Sequence, residues 1–413
     1  MATKKAKKKT ASKKKAAKKK LSKLAMFAQD VTKQYGGGSI MTADEVSRQT
    51  VPRIGTGIFA VDAATGGGFP IGRMSMVFGE ESTGKSTLYI KGVARAQRMC
   101  ANCYAVCELE PGIVETIDAN SGEVKEVESM VVKTCKCGNP CSMVVAWIDQ
   151  EGTWESGWAA AHGVYEERLL MSRPVIAEEA IDIVDALLSS GIADVVVLDS
   201  IAEMSPNTEV EQSAVDSYNN PGLHARMMNS AIRKWNSDFN AMFKAQIRGE
   251  DVSIPSLWLV NQTREKIGVM FGSPETVPGG RGQRFAVSLT IRSRKIKYMV
   301  PETDLLRKTL KLDTHWVELG FKTVKNKVSP AQQEGTYRIC LKDIGPFRKG
   351  DVLDHDDVLF YALRYEVVQQ ISDKKYTCGG EEFLGKAGVT DRWATDRELY
   401  EMIKAETLRR FLE

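Results

Sequence analysis

Short apolar runs alternate with amphipathic stretches through most of the chain. Met74-Ser-Met-Val-Phe78 predicts a buried strand, and Thr87 to Gln97 behind it predicts a helix. Met143-Val-Val-Ala-Trp-Ile148, Asp194-Val-Val-Val-Leu-Asp199 and Leu257-Trp-Leu-Val260 read as further strands. Between them Ile181, Val184, Leu187 and Leu188 recur at helical spacing, with Gly191 closing the helix, and Ala225 to Phe239 reads as another. Near-continuous apolar strands alternating with helices predict an α/β fold, its mostly parallel sheet covered by helices on both faces. Ala25 to Tyr35 predicts a short helix ended by Gly36-Gly-Gly38. Beyond Pro330, Tyr337–Lys342, Val358–Gln370 and Asp396–Leu412 predict a small αβ domain.

Polar residues at the strand ends carry the chemistry. Gly79, Glu80, Glu81, Ser82, Thr83, Gly84, Lys85 and Ser86 fit G-x-x-x-x-G-K-[ST] between a strand and a helix that begins near Thr87, the context of a phosphate-binding loop. Gly79 and Gly84 let the backbone curl so that its N–H groups converge, and the helix N-terminus adds its positive end. Lys85 then reaches the β- and γ-phosphates of ATP, and the Ser86 hydroxyl ligates Mg²⁺. Ligands of parallel sheets sit beyond the C-terminal strand ends. Glu151, Asp199 and Gln262 fall there too. An unpaired carboxylate at the end of a buried strand is costly, so Asp199 predicts a charged partner, the Mg²⁺ of a bound nucleotide. Glu151 is placed to hold and deprotonate a water, and Gln262 to sense the γ-phosphate at the mouth of the Gly/Pro-rich loop Thr263 to Arg284.

Charge divides the chain of 413 residues unevenly. Of 57 basic residues, twelve are lysines within Met1–Leu24, which has no acid; the rest carries 45 basic against 53 acidic groups. Residues 1–23 therefore predict a disordered Lys-rich arm suited to a nucleic-acid backbone. No run of eighteen apolar residues exists and no apolar stretch follows the lysines, so no membrane partner and a cytoplasmic location are expected. In a reducing compartment, clustered cysteines point to metal rather than disulfides. Cys100, Cys103 and Cys107 precede, and Cys135, Cys137 and Cys141 follow, a hairpin that turns at Asn120-Ser-Gly122. That layout predicts a zinc ribbon in which four of the six thiolates hold a structural Zn²⁺, one pair from each cluster.

Several longer stretches extend the pattern. They are Lys33-Gln-Tyr-Gly-Gly-Gly-Ser-Ile-Met41, the phosphate loop, Ile148-Asp-Gln-Glu151, Asp194 to Ser200, Gly222-Leu-His-Ala-Arg-Met-Met228, Asn261 to Gly272, Pro274 to Gly280, and Val324-Lys-Asn-Lys-Val328. With these, the chain resembles the bacterial RecA recombinase family from about Leu24 onward, apart from the cysteine island. The resemblance implies a P-loop core and an ATP-dependent recombinase that forms helical filaments of itself on single-stranded DNA and pairs that strand with homologous duplex DNA. Lys85, Ser86 and Asp199 match the family's phosphate and Mg²⁺ ligands, Glu151 its catalytic base and Gln262 its γ-phosphate sensor. Trp158 falls where the family stacks an aromatic on adenine, and Glu155 where it puts an acid near the base. Lys325 and Lys327 match the pair that reaches ATP from a neighbouring subunit, and Phe285 matches an interface residue. The first DNA loop would run from about Asn207 to Pro221 and the second from Thr263 to Arg284. Arg226, Arg264, Lys266, Gly268, Met270, Gly279, Gly280 and Arg281 are the implied DNA-binding residues.

The implied organisation is an arm at 1–23, an N-terminal helix and oligomerisation segment at 24–70, and an ATPase core at 71–330. The core holds the insert at 100–141, and a C-terminal αβ domain follows at 331–413. The Lys-rich arm, the absence of an acidic C-terminal tail and the cysteine island depart from the family pattern. The first two imply readier capture of duplex, in a bacterial or phage-encoded protein. Two other readings share these features: a hexameric helicase-type ATPase, and a DNA-packaging protein that works through the arm.

Overall fold

The computed structural model describes residues 23–42, 51–133, 135–138, 141–211, 222–265, 275–280, 282–299 and 314–413. Among them, eight strands build one sheet: β1 Met74–Gly79, β2 Val145–Asp149, β3 Leu169–Ser172, β4 Val195–Asp199, β5 Ser256–Gln262, β6 Leu289–Met299, β7 Trp316–Asn326 and β8 Glu334–Cys340. Their order across the sheet is β8-β7-β6-β1-β5-β4-β2-β3. From β6 to β3 every neighbouring pair is parallel, while β7 and β8 add antiparallel strands at one edge. Every residue of β1, β2 and β4 is buried, as strands covered on both faces require. The expected α/β fold with a largely parallel sheet flanked by helices is present.

Register decides what meets at the C-terminal edge. Gly79 on β1 pairs with Gln262 on β5, and Asp149 on β2 pairs with Asp199 on β4. The helix after the phosphate loop, Lys85–Ala96, is held to β5 by an aromatic cluster. Tyr89 stacks on Trp258 with ring centroids 5.2 Å apart, and Phe69 lies 4.7 Å from Trp258. Gly92 inside this helix costs roughly 1 kcal/mol of helix propensity. The reason is contact: a Cβ there would stand 2.8 Å from the Trp258 ring. The helix Ala177–Ser190 ends at Gly191 in the left-handed conformation, as expected.

The described residues fall into two compact units. The smaller draws on 23–42 and 237–253. Its helix Lys23–Tyr35 buries none of its residues and exposes Leu24, Met26 and Phe27. Gly36 and Gly38 follow it with positive φ, and a Cβ on Gly38 would press on Ile247 at 3.1 Å. The larger unit holds the rest.

Within the larger unit, residues 334–340, grouped by the sequence reading with the C-terminal domain, form β8 and pair with β7 from Trp316↔Cys340 to Lys322↔Glu334. Beyond β8 come the helix His355–Arg364, a three-stranded antiparallel sheet (Gln369–Ser372, Lys375–Cys378, Glu381–Leu384) and the helices Gly385–Thr395 and Arg397–Leu412. The single element expected over Val358–Gln370 is thus a helix that stops at Arg364 and a strand that starts at Gln369. The chain reverses at Glu366, which has positive φ, and Val367 and Val368 both donate to the carbonyl of Ala362. Val358, Leu359, Tyr376, Val389 and Trp393 pack with Phe59 of the helix Phe59–Thr65. A buried ion pair joins the same parts: Lys404 Nζ lies 2.8 Å from Asp354, which also accepts from the Phe59 N–H and the Tyr400 hydroxyl.

Candidate nucleotide site and metal centre

The phosphate loop lies between β1 and its helix with the two glycines where only glycine fits. A Cβ on Gly79 would collide with the carbonyl of Ser293 on β6, and one on Gly84 would stand 2.5 Å from Leu319. Gly84 has φ +79°, in the left-handed region, directly before the helix N-terminus. The Ser293 hydroxyl donates to the Thr83 carbonyl, and Thr83 Oγ1 donates to the Glu80 carbonyl at 2.8 Å, so the curl is pinned from within and from the neighbouring strand. Lys85 Nζ donates to the Glu80 carbonyl at 2.7 Å. Burial lowers the Lys85 pKa, while Glu151, Asp199 and Glu81 favour its charge.

These residues line a cleft of about 630 Å³ formed by Glu81 to Thr87 with Gln150, Glu151, Thr153, Glu203 and Gln262. Asp199 is buried beside Ser86, and burial pushes its carboxyl up to about 7, against the pull of the Ser86 hydroxyl and with the push of Glu151 and Asp149. One of its oxygens, Oδ1, is buried without a hydrogen-bond partner. A buried acid with an open oxygen beside a hydroxyl and an ammonium is a donor set suited to a divalent cation with phosphate. Gln262 Nε2 donates to Glu151 Oε1 at 2.8 Å, so the two residues expected to act on water and γ-phosphate touch each other. The turn that carries Glu151 is held from both sides. Gln150 and Glu151 donate their N–H groups to the Asp199 carbonyl, and Asp149 accepts from the N–H groups of Thr153 and Trp154 and from Arg173. Trp158 donates its indole N–H to Thr87 Oγ1 at 3.2 Å, while Glu155 is exposed at the start of the helix Ser156–Ala161.

The remaining predicted residues lie elsewhere. Lys325 and Lys327 are not among the residues that line this cleft. Their ammonium groups donate instead to the Phe285 carbonyl, at 3.1 and 2.9 Å, beside the Phe285 ring, which is 77% exposed. Burial, with Lys327 nearby, pushes Lys325 down to about 8. At the base of the second loop, Arg264–Glu265 pairs with Glu275–Thr276, and Arg264 donates to the Ala202 carbonyl. Gly279 and Gly280 both have positive φ. Arg226 is exposed on the first turn of the helix Leu223–Ile247, which runs past the expected end at Phe239. Lys266, Gly268, Met270 and Arg281, and residues 212–221 of the first loop, lie outside the described residues.

Three polar residues that the sequence reading did not single out hold the second loop, Asn261 and Gln283 to β5 and Asn229 to the helix Leu223–Ile247. Asn261 Nδ2 donates to the Pro278 carbonyl at 3.0 Å and to Gln283 Oε1 at 3.1 Å, and Asn261 Oδ1 accepts from the Gln262 N–H. Asn229 accepts from the Gly282 N–H. A buried asparagine at a strand end was the available signal, since its amide needs partners.

The cysteine island forms a hairpin, Leu109–Ile117 against Val124–Val132, between the phosphate-loop helix and β2. Asp118 closes its turn by accepting from the N–H groups of Asn120 and Ser121, with Gly122 at positive φ. The ends of the insert pair with each other, Ala101 N–H to the Cys141 carbonyl and Met143 N–H to the Met99 carbonyl. Arg168 fastens the hairpin root by donating to the carbonyls of Met130 and Gln97. Among the described residues, the sulfurs of Cys100, Cys103, Cys135 and Cys137 lie within 4.8 Å of one another. Cys100 and Cys137 are 3.7 Å apart, close to the roughly 3.8 Å edge of a tetrahedron with Zn–S near 2.3 Å. The Cys137 N–H and then the Cys103 thiol pull the Cys135 thiol down, and the same contact pushes the Cys103 thiol up, as two sulfurs that share a proton at close range require. The donor set fits a metal such as Zn²⁺, with one pair from each cluster and Cys107 and Cys141 left over. No helix of the described residues is long and apolar enough to cross a membrane.

Comparison with known proteins agrees with this geometry. The RecA N-terminal domain family matches residues 22–120 and 111–343, two segments that overlap inside the inserted hairpin. Protein RecA of Halalkalibacterium halodurans is 33% identical over 332 residues, covering 80% of this chain and 76% of its own. Protein RecA of Brevibacillus brevis is 33% identical over 79% of this chain and 74% of its own, and that of Bacillus anthracis 31% over 80% and 78%. The chain belongs to the RecA family.

Proposed function

We propose that this protein is a DNA-stimulated ATPase of the recombinase type. It would assemble as a helical filament on single-stranded DNA and exchange that strand with homologous duplex in recombination and repair. Family membership supports ATP-dependent, recombination-related activity in general terms. The observation that carries the finer reading is the Glu151–Gln262 contact inside the phosphate cleft, on a strand that runs straight into the loop Thr263–Arg284. In this reading the N–H groups of Gly79 to Thr87 and the Lys85 ammonium bind and orient the nucleotide phosphates. Ser86 and Asp199 would hold Mg²⁺, which supplies charge neutralisation at the β- and γ-phosphate oxygens when bound. Glu151 orients the attacking water and takes its proton, and Gln262 leaves Glu151 for the γ-phosphate, moving the loop. Trp158 and Glu155 receive the base. Lys325, Lys327 and Phe285 form one patch that meets a neighbouring copy. Arg226, Arg264, Lys266, Gly268, Met270, Gly279, Gly280 and Arg281 contact DNA, and the arm at 1–23 adds affinity without sequence preference. The zinc ribbon is a structural insert, residues 341–413 a small αβ region beyond the core sheet, and the bacterial cytoplasm the site of action.

The test is ATP hydrolysis with and without single-stranded DNA, on the wild type and on Glu151→Gln. Stimulation in the wild type, with a fall of roughly 10²- to 10⁴-fold in the variant and DNA binding retained, is expected. Absence of stimulation in folded protein overturns the reading. Electron microscopy of the ATP–DNA complex then separates open filaments from closed rings.

A further inference from the structure

Trp158 is the platform that the proposed reading puts under the nucleotide base, yet its ring already has neighbours. The buried His162 ring meets it edge-on, with centroids 4.4 Å apart at 87°, and its indole N–H is committed to Thr87. The ammonium of Lys349 stands 5.5 Å from the ring centroid. A purine stacks on a ring face, and this cation occupies one.

The turn that carries Lys349 is held firmly. The Lys349 N–H donates to Asp343 Oδ1 at 2.9 Å, Gly350 N–H to the Cys340 carbonyl at 2.8 Å, and Cys340 N–H to the Asp351 carbonyl at 2.9 Å. Gly350 has φ +88° and approaches the helix Ser156–Ala161 so closely that a Cβ would stand 2.5 Å from the Ala161 carbonyl. Asp351 in turn accepts from Arg397, the first residue of the last helix, at 2.8 Å. With the backbone anchored at β8 and at that helix, the flexible part is the Lys349 side chain, four methylenes ending over Trp158.

We propose that Lys349 is a placeholder in the base site: it covers one face of the Trp158 ring and yields that face to the purine of ATP. This rests on the reading of Trp158 as the base platform. A cation over a partly exposed aromatic ring is worth a factor of roughly two to five in an equilibrium that must break the contact. Purine binding works against that factor, whereas a ligand with phosphates and no base does not. Lys349 is therefore a positioning residue that sets affinity for the base and leaves the chemistry alone.

The experiment measures ATP kcat and KM on the full chain for the wild type, Lys349→Met, Lys349→Arg and Trp158→Ala, with inhibition by inorganic tripolyphosphate alongside. Lys349→Met should lower the KM for ATP roughly two- to fivefold with kcat unchanged. Lys349→Arg, which keeps a cation over the ring, should stay at the wild-type KM. Inhibition by tripolyphosphate should be the same in the wild type and in both Lys349 variants. An unchanged or raised KM in Lys349→Met overturns the proposal, as does a parallel shift in tripolyphosphate inhibition, which would mean that Lys349 acts on phosphate charge. The Trp158→Ala variant separates the two levels. If its KM rises roughly fivefold or more while Lys349→Met leaves KM unmoved, the platform stands and the placeholder falls. If Trp158→Ala also leaves KM unmoved, both fall.

Discussion

Coupling of hydrolysis to DNA should turn on the Gln262 amide. It donates to Glu151 at 2.8 Å, and its own backbone N–H is capped by Asn261, whose amide reaches Pro278 and Gln283 at the far end of the loop. In the proposed reading, DNA that reorders the loop would pull on the strand end that contacts Glu151. A hydrogen bond to an ionised group contributes about 1.5–3 kcal/mol, or roughly 10- to 150-fold in an equilibrium that makes or breaks it. That figure is the ceiling on the stimulation this contact can transmit. Gln262→Ala removes it, and the ratio of kcat with single-stranded DNA to kcat without it should collapse toward one, while DNA binding at saturating ATP persists. Asn261→Ala keeps the Gln262–Glu151 pair but cuts both side-chain ties to the loop, and should lower the ratio only partly. Steady-state ATPase assays with a DNA titration, on proteins whose Tm has been checked, measure both. A Gln262→Ala protein with the wild-type stimulation ratio would refute the relay.

Three further outcomes follow from other parts of the molecule. Cys103→Ser or Cys135→Ser should abolish bound zinc, and Cys107→Ser or Cys141→Ser should keep it, as read by elemental analysis; retention in the first pair would show that the four-thiol set is wrong. Lys325, pushed down to about 8, is charged below that pH and neutral above it. ATP-dependent self-association followed by sedimentation should therefore weaken as pH rises from 7 to 9, and Lys325→Arg should remove that dependence if the lysine reaches a neighbour's phosphate. Lys404→Met leaves Asp354 buried without its cation and should cost about 3–5 kcal/mol in urea unfolding, most of it recovered by adding Asp354→Asn. Burial opposes the Asp354 charge, but Lys404 and the Tyr400 hydroxyl outweigh it and hold its pKa below 3.8. The pair's contribution is therefore present above that value and fades as pH falls through the lower folded pKa; equal loss for the single and double variants would contradict it.

The strand-end chemistry was legible because parallel strands joined by helices all point the same way. Any polar residue that ends such an apolar run therefore arrives at one edge, and Gly79, Glu151, Asp199 and Gln262 needed no knowledge of strand order to be grouped. Pairing across the sheet was not legible in the same way. Tyr337–Lys342 reads locally as a strand, but the register that joins it to β7, Trp316↔Cys340, depends on a partner some twenty residues away. β6 was missed because its outer half, Arg294-Lys-Ile-Lys-Tyr298, is exposed and basic and so lacks the apolar run that marks a covered strand.

The cysteines show the same limit at shorter range. Spacing predicts two clusters but leaves open which four sulfurs converge, and the backbone decides it. In both clusters the residue after the second ligand is left-handed, Tyr104 at φ 60° and Gly138 at φ 74°. In both, its N–H returns to the carbonyl of the first ligand, 2.8 Å to Cys100 and 3.0 Å to Cys135. The tight turn aims two sulfurs inward, and a cysteine three residues further on has left the turn, which is why Cys107 and Cys141 are surplus. Gly138 advertises that turn, because glycine adopts positive φ without strain. Tyr104 conceals it. A bulky residue at φ 60° persists only where its surroundings over-determine it. Tyr104 packs against the hydrophobic core, so its ring holds the strained turn down on the body of the protein. Tyr104 therefore both shapes the first cysteine pair and fastens the insert to the main hydrophobic core.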